Sequence, residues 1–291
     1  MEQFFQQLIN GLSLGSIYAL IALGYTMVYG IIKLINFAHG EVYMIGGYVG
    51  YFAIAVLGLP VLPAILIAMV VCAVIGVLIE RVAYRPLRKA PRITMLITAI
   101  GVSFLLQYTV MFFVGPDVKT FPQMTNQVFD IFGVLINEQQ VYILVITVVL
   151  MLILQFVVKK TKMGRAMRAV SVDPEAAQLM GININTTISF TFAIGSALAG
   201  AAGVLVGLYY NSIDPLMGVT MGLKAFIAAV FGGIGIIPGA MLGGFGIGFI
   251  EIFASGYISS LIKDGVVYGL LILILLVKPS GLLGKNEKEK V

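Results

Sequence analysis

The sequence predicts an all-α integral membrane protein, a polytopic bundle of about eight to nine transmembrane helices with broken helices and one short helix in a cytoplasmic loop. Three observations carry that prediction. Of 291 residues, 60% are apolar and only 11% charged, with a mean hydropathy of +1.05, whereas an average soluble domain carries about 25% charged residues. Apolar windows of about 17 to 25 residues, the length that crosses hydrocarbon, recur from one end of the chain to the other. The basic residues gather in short segments between those windows, so the net charge of +5 reflects topology and makes no case for nucleic acid. Residues 1–291 read as one transmembrane domain, and the lipid bilayer is its first partner.

Met1 to Gln7 has neither a basic leader region nor a small-residue cleavage site, so the first window, Leu8 to Ile32, is expected to remain as a membrane helix. Further windows follow at Val42–Leu57, Ala64–Ile79, Ile93–Val114, Gln140–Val158 and Thr187–Leu208. Glycines and Pro238 interrupt the stretch from Ala225 to Val277, which has room for two or three more crossings. Loop charge sets the orientation. The segment with Arg81, Arg85, Arg88, Lys89 and Arg92 and the segment with Lys159, Lys160, Lys162, Arg165 and Arg168 belong in the cytoplasm. The loop 115–139 carries Asp117, Asp130 and Glu138 against a single lysine and belongs outside, and parity puts Tyr209 to Gly222 outside as well. A cytoplasmic tail with Lys278, Lys285, Lys288 and Lys290 then requires an odd number of final crossings. Three are favoured, giving nine with the N-terminus outside.

Lipid gives helices no hydrophobic reason to associate, so close packing needs small residues four apart. Three such stripes are present: Gly195, Ala199, Gly203 and Gly207; Ala240, Gly244 and Gly248; and Ala68, Cys72 and Gly76. Cys72, the one cysteine, is therefore expected to be a packing residue and not a nucleophile. A weak repeat relates Gly11–Gly15 to Gly218–Gly222, and His39-Gly40 to Pro238-Gly239. It would run parallel if it is a duplication, and chance similarity among glycine-rich segments is the alternative.

Two segments should interrupt their helices. Lys33 to Glu41 places Asn36, His39 and Glu41 between apolar runs, and Phe231 to Gly239 offers Gly232, Gly233, Gly235 and Pro238 where a helix would continue. Irregular backbone at membrane depth is tolerated where it lines a cavity, which makes both candidates for a translocation path. For the first, a plain cytoplasmic turn anchored by Lys33 fits the charge parity with fewer assumptions. Glu251 is the clearest ionisable residue within a span, needing a polar partner, water or a proton, and it is expected to line the translocation path or brace a helix beside it. Lys224, Lys263 and Asp264 are expected near outer span ends, where they reach the interface.

The cytoplasmic loop 159–186 encodes a short rod. Asp173 suits an N-cap, Pro174 the first helical position, Glu175 the positive dipole end and Gly181 the left-handed residue that ends a helix. A helix over 174–180 would put Ala176, Ala177 and Met180 on one small apolar face able to enter a groove on another protein.

Glu175-Ala176-Ala177 followed by Gly181 resembles the EAA motif of bacterial ABC importer permeases. Further segments resemble branched-chain amino acid permeases of the LivH type: Gly15-Ser16-Ile17-Tyr18, Asn36-Phe37-Ala38-His39-Gly40-Glu41, Glu80-Arg81-Val82-Ala83-Tyr84-Arg85-Pro86-Leu87, Met163-Gly164-Arg165-Ala166, and Lys224-Ala225-Phe226 with Gly232-Gly233-Ile234-Gly235. The isoleucine and proline that often follow the EAA glycine are absent after Gly181. The resemblance covers nearly the whole chain. It implies a multi-pass protein of a bacterial or archaeal cytoplasmic membrane, with the loop helix as the coupling helix seated on an ATPase. The implied partners are a second permease subunit, two cytoplasmic ABC ATPase subunits and an external binding protein delivering leucine, isoleucine or valine.

No G-x-x-x-x-G-K-[ST] phosphate loop occurs, and Gly243 to Gly248 lies within an apolar span, so no cofactor is expected here and ATP falls to partner subunits. A stand-alone secondary transporter or channel is the alternative, and it leaves the loop helix without a purpose. An intramembrane enzyme finds no support in one histidine, one cysteine and no H-E-x-x-H. The orientation is tested with single cysteines in a Cys72→Ala background. An impermeant thiol reagent should label position 117 in intact cells and positions 85 and 162 only after permeabilisation.

Overall fold

The computed structural model describes residues 2–88, 90–122, 127–131 and 133–284. Lys89, Lys285, Lys288 and Lys290, used above for orientation, lie outside the described residues, as does the side chain of Arg92. The chain begins with α1 (Glu2–Ile32), α2 (His39–Ala55) and α3 (Val61–Ile79). A π-helical turn at Glu80–Tyr84 follows, then α4 (Arg92–Val114). A short strand β1 (Lys119–Thr120) and the hairpin β2 (Val128–Ile131) with β3 (Val134–Asn137) lead into α5 (Glu138–Lys160). The loop region supplies α6 (Lys162–Val172) and α7 (Pro174–Leu179). Then come α8 (Ile184–Tyr210), β4 (Ser212–Ile213) paired to β1, and α9 (Met217–Gly232), α10 (Ile237–Tyr257) and α11 (Lys263–Val277).

Six of these helices, α1, α3, α4, α5, α8 and α10, are long and apolar enough to cross a bilayer on their own. The contested stretch 225–277 holds the greater part of α9 and all of α10 and α11. The shorter apolar helices α2, α9 and α11, of 17, 16 and 15 residues, would supply the remaining crossings of the expected nine. One end of the bundle gathers the π-turn, α6, α7 and the α9–α10 connection; the strands lie at the other. The first is called the basic end below, because Arg81, Arg85, Lys159, Lys160, Lys162 and Arg165 lie there.

The bundle is built from two inverted halves, α1–α4 and α8–α11. α1 packs most extensively on α10 as α8 does on α3, and the α2–α3 and α9–α10 pairs match in the same way. The connections agree in detail. α1 and α2 are joined by Lys33–Ala38, α8 and α9 by Asn211–Leu216, each six residues long. Lys33 and Asn211 are, among the described residues, the two non-glycine positions with positive φ, at 51° and 52°. Three residues on, the Asn36 side chain accepts from Ala38 N at 3.1 Å, and the Asp214 side chain accepts from Leu216 N at 2.8 Å. Both are Asx turns that redirect the chain into the next helix. A constant offset of 178 positions relates Lys33, Asn36 and Gly40 to Asn211, Asp214 and Gly218. This corrects the parallel repeat expected from sequence: Gly218–Gly222 answers to Gly40 in the opposite half, not to Gly11–Gly15.

The same geometry corrects the reading of residues 36–41 as a plain cytoplasmic turn. Lys33 is exposed at the basic end, but Asn36, His39 and Glu41 are buried. His39 packs on Gly24, eight residues before the end of α1, so α2 starts about 12 Å inside the bundle at about 1.5 Å per residue. The second proposed break lies elsewhere. Gly232 ends α9, and Gly233 and Gly235, with φ of +108° and +92°, form the tight connection to α10 at the basic end. Leu282 N and Leu283 N donate to Phe231 O and Gly232 O, so the C-terminal segment covers this turn. It terminates a helix and does not interrupt one at depth.

The small-residue stripes sit at the helix contacts for which they were read. Gly203 meets Tyr43 and Gly47 of α2, Gly244 and Gly248 meet Ala19 and Gly15 of α1, and Cys72, buried, lies against Gly200. At these points backbones touch, so dispersion and weak Cα–H contacts replace the hydrophobic drive that lipid lacks. A leucine at Gly46 would drive its Cβ to 2.5 Å from Gly200 Cα, a backbone atom that cannot turn aside. Gly46→Leu is expected to cost at least about 1–3 kcal/mol or prevent folding, seen as a lowered melting temperature in detergent. Gly101→Leu, with nothing within 4 Å, should melt unchanged.

Candidate functional site

The inverted halves bring the starts of α2 and α9 together. Gly40 lies against the Gly218 carbonyl and 3.3 Å from Gly222 Cα, measured from where its Cβ would be. Each helix therefore points its N-terminus, with the positive end of its dipole, into the interior. Around this junction stand Tyr25 of α1, with its ring 4.7 Å from that of His39 and 6.0 Å from that of Phe226. Asn36 is held by Tyr84 of the π-turn, whose hydroxyl donates to it at 2.8 Å. Glu41, in the first turn of α2, accepts from Ser103 of α4 at 3.1 Å through Oε1. A cavity of about 180 Å³ opens beside it, lined by Tyr25, Phe37, Glu41, Ser103, Gly222 and Phe226 among others.

Glu251 belongs to a second cluster, reached from Tyr18, which lies seven residues before Tyr25 on α1. Its carboxylate accepts from the Tyr18 hydroxyl at 2.6 Å and from Lys224 Nζ at 2.7 Å. Lys224 also reaches Asp264 at 2.7 Å, and Lys263 stands 3.6 Å from Glu251. The expectation that Lys224 reaches an outer interface is overturned: it is 4% exposed, in the middle of α9. Burial of a lysine is tolerated here because two carboxylates face it. The cluster ties α1, α9, α10 and α11 together. The signal for the pair was present in the sequence, since opposite charges inside separate apolar spans require one another.

A third polar group braces the basic end. The π-turn rotates Glu80 and Tyr84 inward; Glu80 is paired with Arg88 and accepts from Ser189 at 2.5 Å, and Arg88 donates to Asn185 at 2.7 Å. That assigns a structural task to the Glu80–Leu87 segment, for which the sequence offered only a resemblance. The expected path residues do not converge. Asn36, His39 and Glu41 form the junction, Glu251 an ion-pair cluster beyond it, and Gly232, Gly233 and Gly235 the covered turn at the basic end.

In the basic-end loop, Thr161 caps α6 by accepting from Gly164 N at 3.0 Å, and Gly164 packs on the last carbonyls of α5, leaving no room for a side chain. Asp173 caps α7, accepting from Glu175 N at 2.9 Å and Ala176 N at 3.0 Å, with Pro174 in the first turn. Gly181 follows with φ of +83°. α7 stops at Leu179, and Met180 is its C-cap. The expected apolar face is corrected by burial. Ala177 is 5% exposed and turns into the protein's own fold, while Ala176 is exposed and Val172, Leu179 and Met180 stand out at 86%, 88% and 82%. A cleft of about 840 Å³ separates α7 from the end of α1, lined by Ile32, Lys33, Arg88, Pro174, Glu175 and Asn185 among others.

The family described as "Branched-chain amino acid transport system / permease component" matches residues 7–276. The high-affinity branched-chain amino acid transport system permease protein BraD of Pseudomonas aeruginosa is 48% identical, over 99% of this chain and 98% of its own. LivH of Escherichia coli K12, described in the same words, is also 48% identical over the same shares. A probable branched-chain amino acid transport permease protein LivH of Methanocaldococcus jannaschii is 31% identical over 94% of this chain and 90% of its own. Among solved structures, PsaBC from Streptococcus pneumoniae in complex with Fab aligns with a TM-score of 0.53 over 96% of this chain and 93% of that one. At 13% identity that likeness concerns the fold alone.

The buried pair of Lys224 and Glu251 makes a testable statement about its own energetics. Removing one partner leaves the other with weaker company, Asp264 for Lys224 and Lys263 with Tyr18 for Glu251, so Lys224→Met or Glu251→Leu alone should cost less than the ~3–5 kcal/mol of a fully stranded charge. The double variant should recover most of that loss. A thermal melt of the purified protein in detergent, run as a double-mutant cycle, reads the coupling directly.

Proposed function

Because the chain belongs to the branched-chain amino acid transport system permease family, we propose that it is the membrane-spanning subunit of an ATP-driven importer. It carries leucine, isoleucine or valine into the cytoplasm, across the cytoplasmic membrane of a bacterium or archaeon. The single observation behind the coupling to ATP is the capped helix α7, presented at the basic end with Leu179 and Met180 almost fully exposed. Large apolar side chains at such exposure on a rigid two-turn rod are an anchor for a groove on a soluble partner.

The partners are two cytoplasmic ABC ATPase subunits, a second permease subunit, and an external or periplasmic protein that delivers the amino acid. Asp173, Pro174, Glu175 and Gly181 fix where α7 begins and ends, Ala176 lies on its outer side, and Ala177 seats it on its own chain. Movement of the ATPase reaches the bundle through α6, which packs on α5, α1 and α8. α8 in turn touches α1, α2 and α3, so a rocking of α8 changes the junction where α2 and α9 begin. Asn36, His39 and Glu41 are the path residues in this reading, and Glu251 braces the wall beside them.

Inverted halves with internally starting helices also occur in secondary carriers, so the stand-alone carrier is the reading to be tested against. Vesicles reconstituted with this chain, with and without its co-purifying partners and ATP, separate the two. Uptake of leucine should require both. Leu179→Arg or Met180→Glu should abolish leucine-stimulated ATP hydrolysis and uptake, or release the ATPase, with the melting temperature of the bundle unchanged. Ala177→Arg should instead lower that melting temperature. Strong uptake by this chain alone, indifferent to Leu179→Arg, would overturn the importer.

A further inference from the structure

We infer that the cavity at the α2–α9 junction is a binding site for the ammonium group of a free aliphatic amino acid, with Glu41 as its counter-ion. The inference rests on the importer reading and deepens it. Three carboxylates are buried among the described residues: Glu41, Glu80 and Glu251, at 1%, 0% and 1% exposure. Two of them have their cation within the chain, Glu80 in Arg88 and Glu251 in Lys224. Glu41 has none among the described residues. Lys224, a lysine of the facing helix, is already held between Glu251 and Asp264.

What Glu41 has instead is Ser103 on Oε1, while Oε2 lacks any hydrogen-bond partner and lies against the Gly218 backbone. A buried charge without a partner is costly, and its neighbours here are arranged to tolerate it without neutralising it. Two helix N-termini face it, and one hydroxyl donates to it. That is the environment of a carboxylate whose cation comes and goes. The cavity that Glu41 borders holds about 180 Å³, room for one small solute. Its other walls are Phe37, Ile100, Leu223 and Phe226, an apolar lining suited to an aliphatic side chain. At the start of α9 the amides of Leu216, Met217 and Val219 are already bonded to Asp214 and Leu216, so it is the positive dipole end of that helix, at Gly218, that faces the carboxylate of the same molecule. Gly218 and Gly222 leave the backbone bare there, and a side chain at Gly218 would meet Glu41 itself. The chemistry is thus that of a zwitterion with an apolar tail, and it sets Glu41 apart as a specificity-determining residue.

The test uses the whole transport complex in detergent, without the delivery protein, and measures binding of radiolabelled leucine. Wild-type complex should bind it, with isopentylamine competing and 4-methylpentanoate, which lacks the amine, competing at least about tenfold less well. Glu41→Gln should weaken leucine binding by about tenfold or more, the loss of a charge-assisted contact, and Phe226→Trp should block it by filling the cavity. Where Glu41→Gln does not assemble, Ser103→Ala and Phe226→Trp decide the matter alone. Leucine binding unaffected by these changes, or displaced equally by 4-methylpentanoate, would overturn the site. So would a wild-type complex that imports leucine with ATP and its delivery protein yet binds none without it. Failure of the complex to import any branched-chain amino acid would instead strike the importer reading.

Discussion

Backbone meeting backbone at Gly40, Gly218 and Gly222 is the contact on which the rest of this bundle depends. It lets two helices begin inside the protein, where a methyl group on either side would hold them apart. Once they begin there, the chain must reach that depth as irregular backbone, whose polar groups lipid would not satisfy. Both connections meet the requirement in the same way, with a left-handed residue at the helix end and an Asx turn before the next helix. In the first half Tyr84 adds a hydroxyl to Asn36, so the π-turn that carries it also supports the re-entrant segment.

The buried charges follow from the same architecture. A helix that starts in the interior brings its dipole with it, and Glu41 occupies the place where two such dipoles converge. Farther along, α9 carries Lys224 into the bundle, and Glu251 with Asp264 balances it. Neither arrangement is cheap, since each ion loses several kcal/mol of hydration before its partners act. The clusters add no obvious stability over well-packed apolar residues. Their effect is to lock the relative placement of four helices in one and to leave one carboxylate oxygen of Glu41 without a hydrogen-bond partner in the other.

At the basic end the physics changes, because the groups there reach water. α7 has few contacts with the bundle beyond α6 and α8, and its caps fix its length. N-caps of this kind stabilise a helix by about 1 kcal/mol, which matters for a rod of six residues that would not persist alone. With Ala177 turned inward and Leu179 and Met180 outward, the rod is attached on one side and free on the other. Under the importer proposal, that division suits the transmission of a push from the ATPase to the bundle.

Composition and loop charge by themselves determined the membrane class, the order of the apolar spans, the two basic segments and the capped loop helix, because these depend on local chain chemistry. Asp173, Pro174 and Gly181 mark the same helix ends in sequence and structure for that reason. The small-residue stripes were legible too, as contact surfaces without named partners. Tertiary structure alone decided which surfaces meet. The inverted repeat leaves little residue identity to find: at its offset of 178 positions Gly40 matches Gly218, but Asn36 matches Asp214, and Lys33 and Asn211 share a backbone conformation without sharing a side-chain type. Depth was equally hidden: Lys33 pointed to a turn in water, yet a six-residue connection carries the chain back among the helices within the next few positions. The fate of each charge, paired for Glu80 and Glu251 and left open for Glu41, was set by which helix faces packed together, a long-range outcome that no local pattern records.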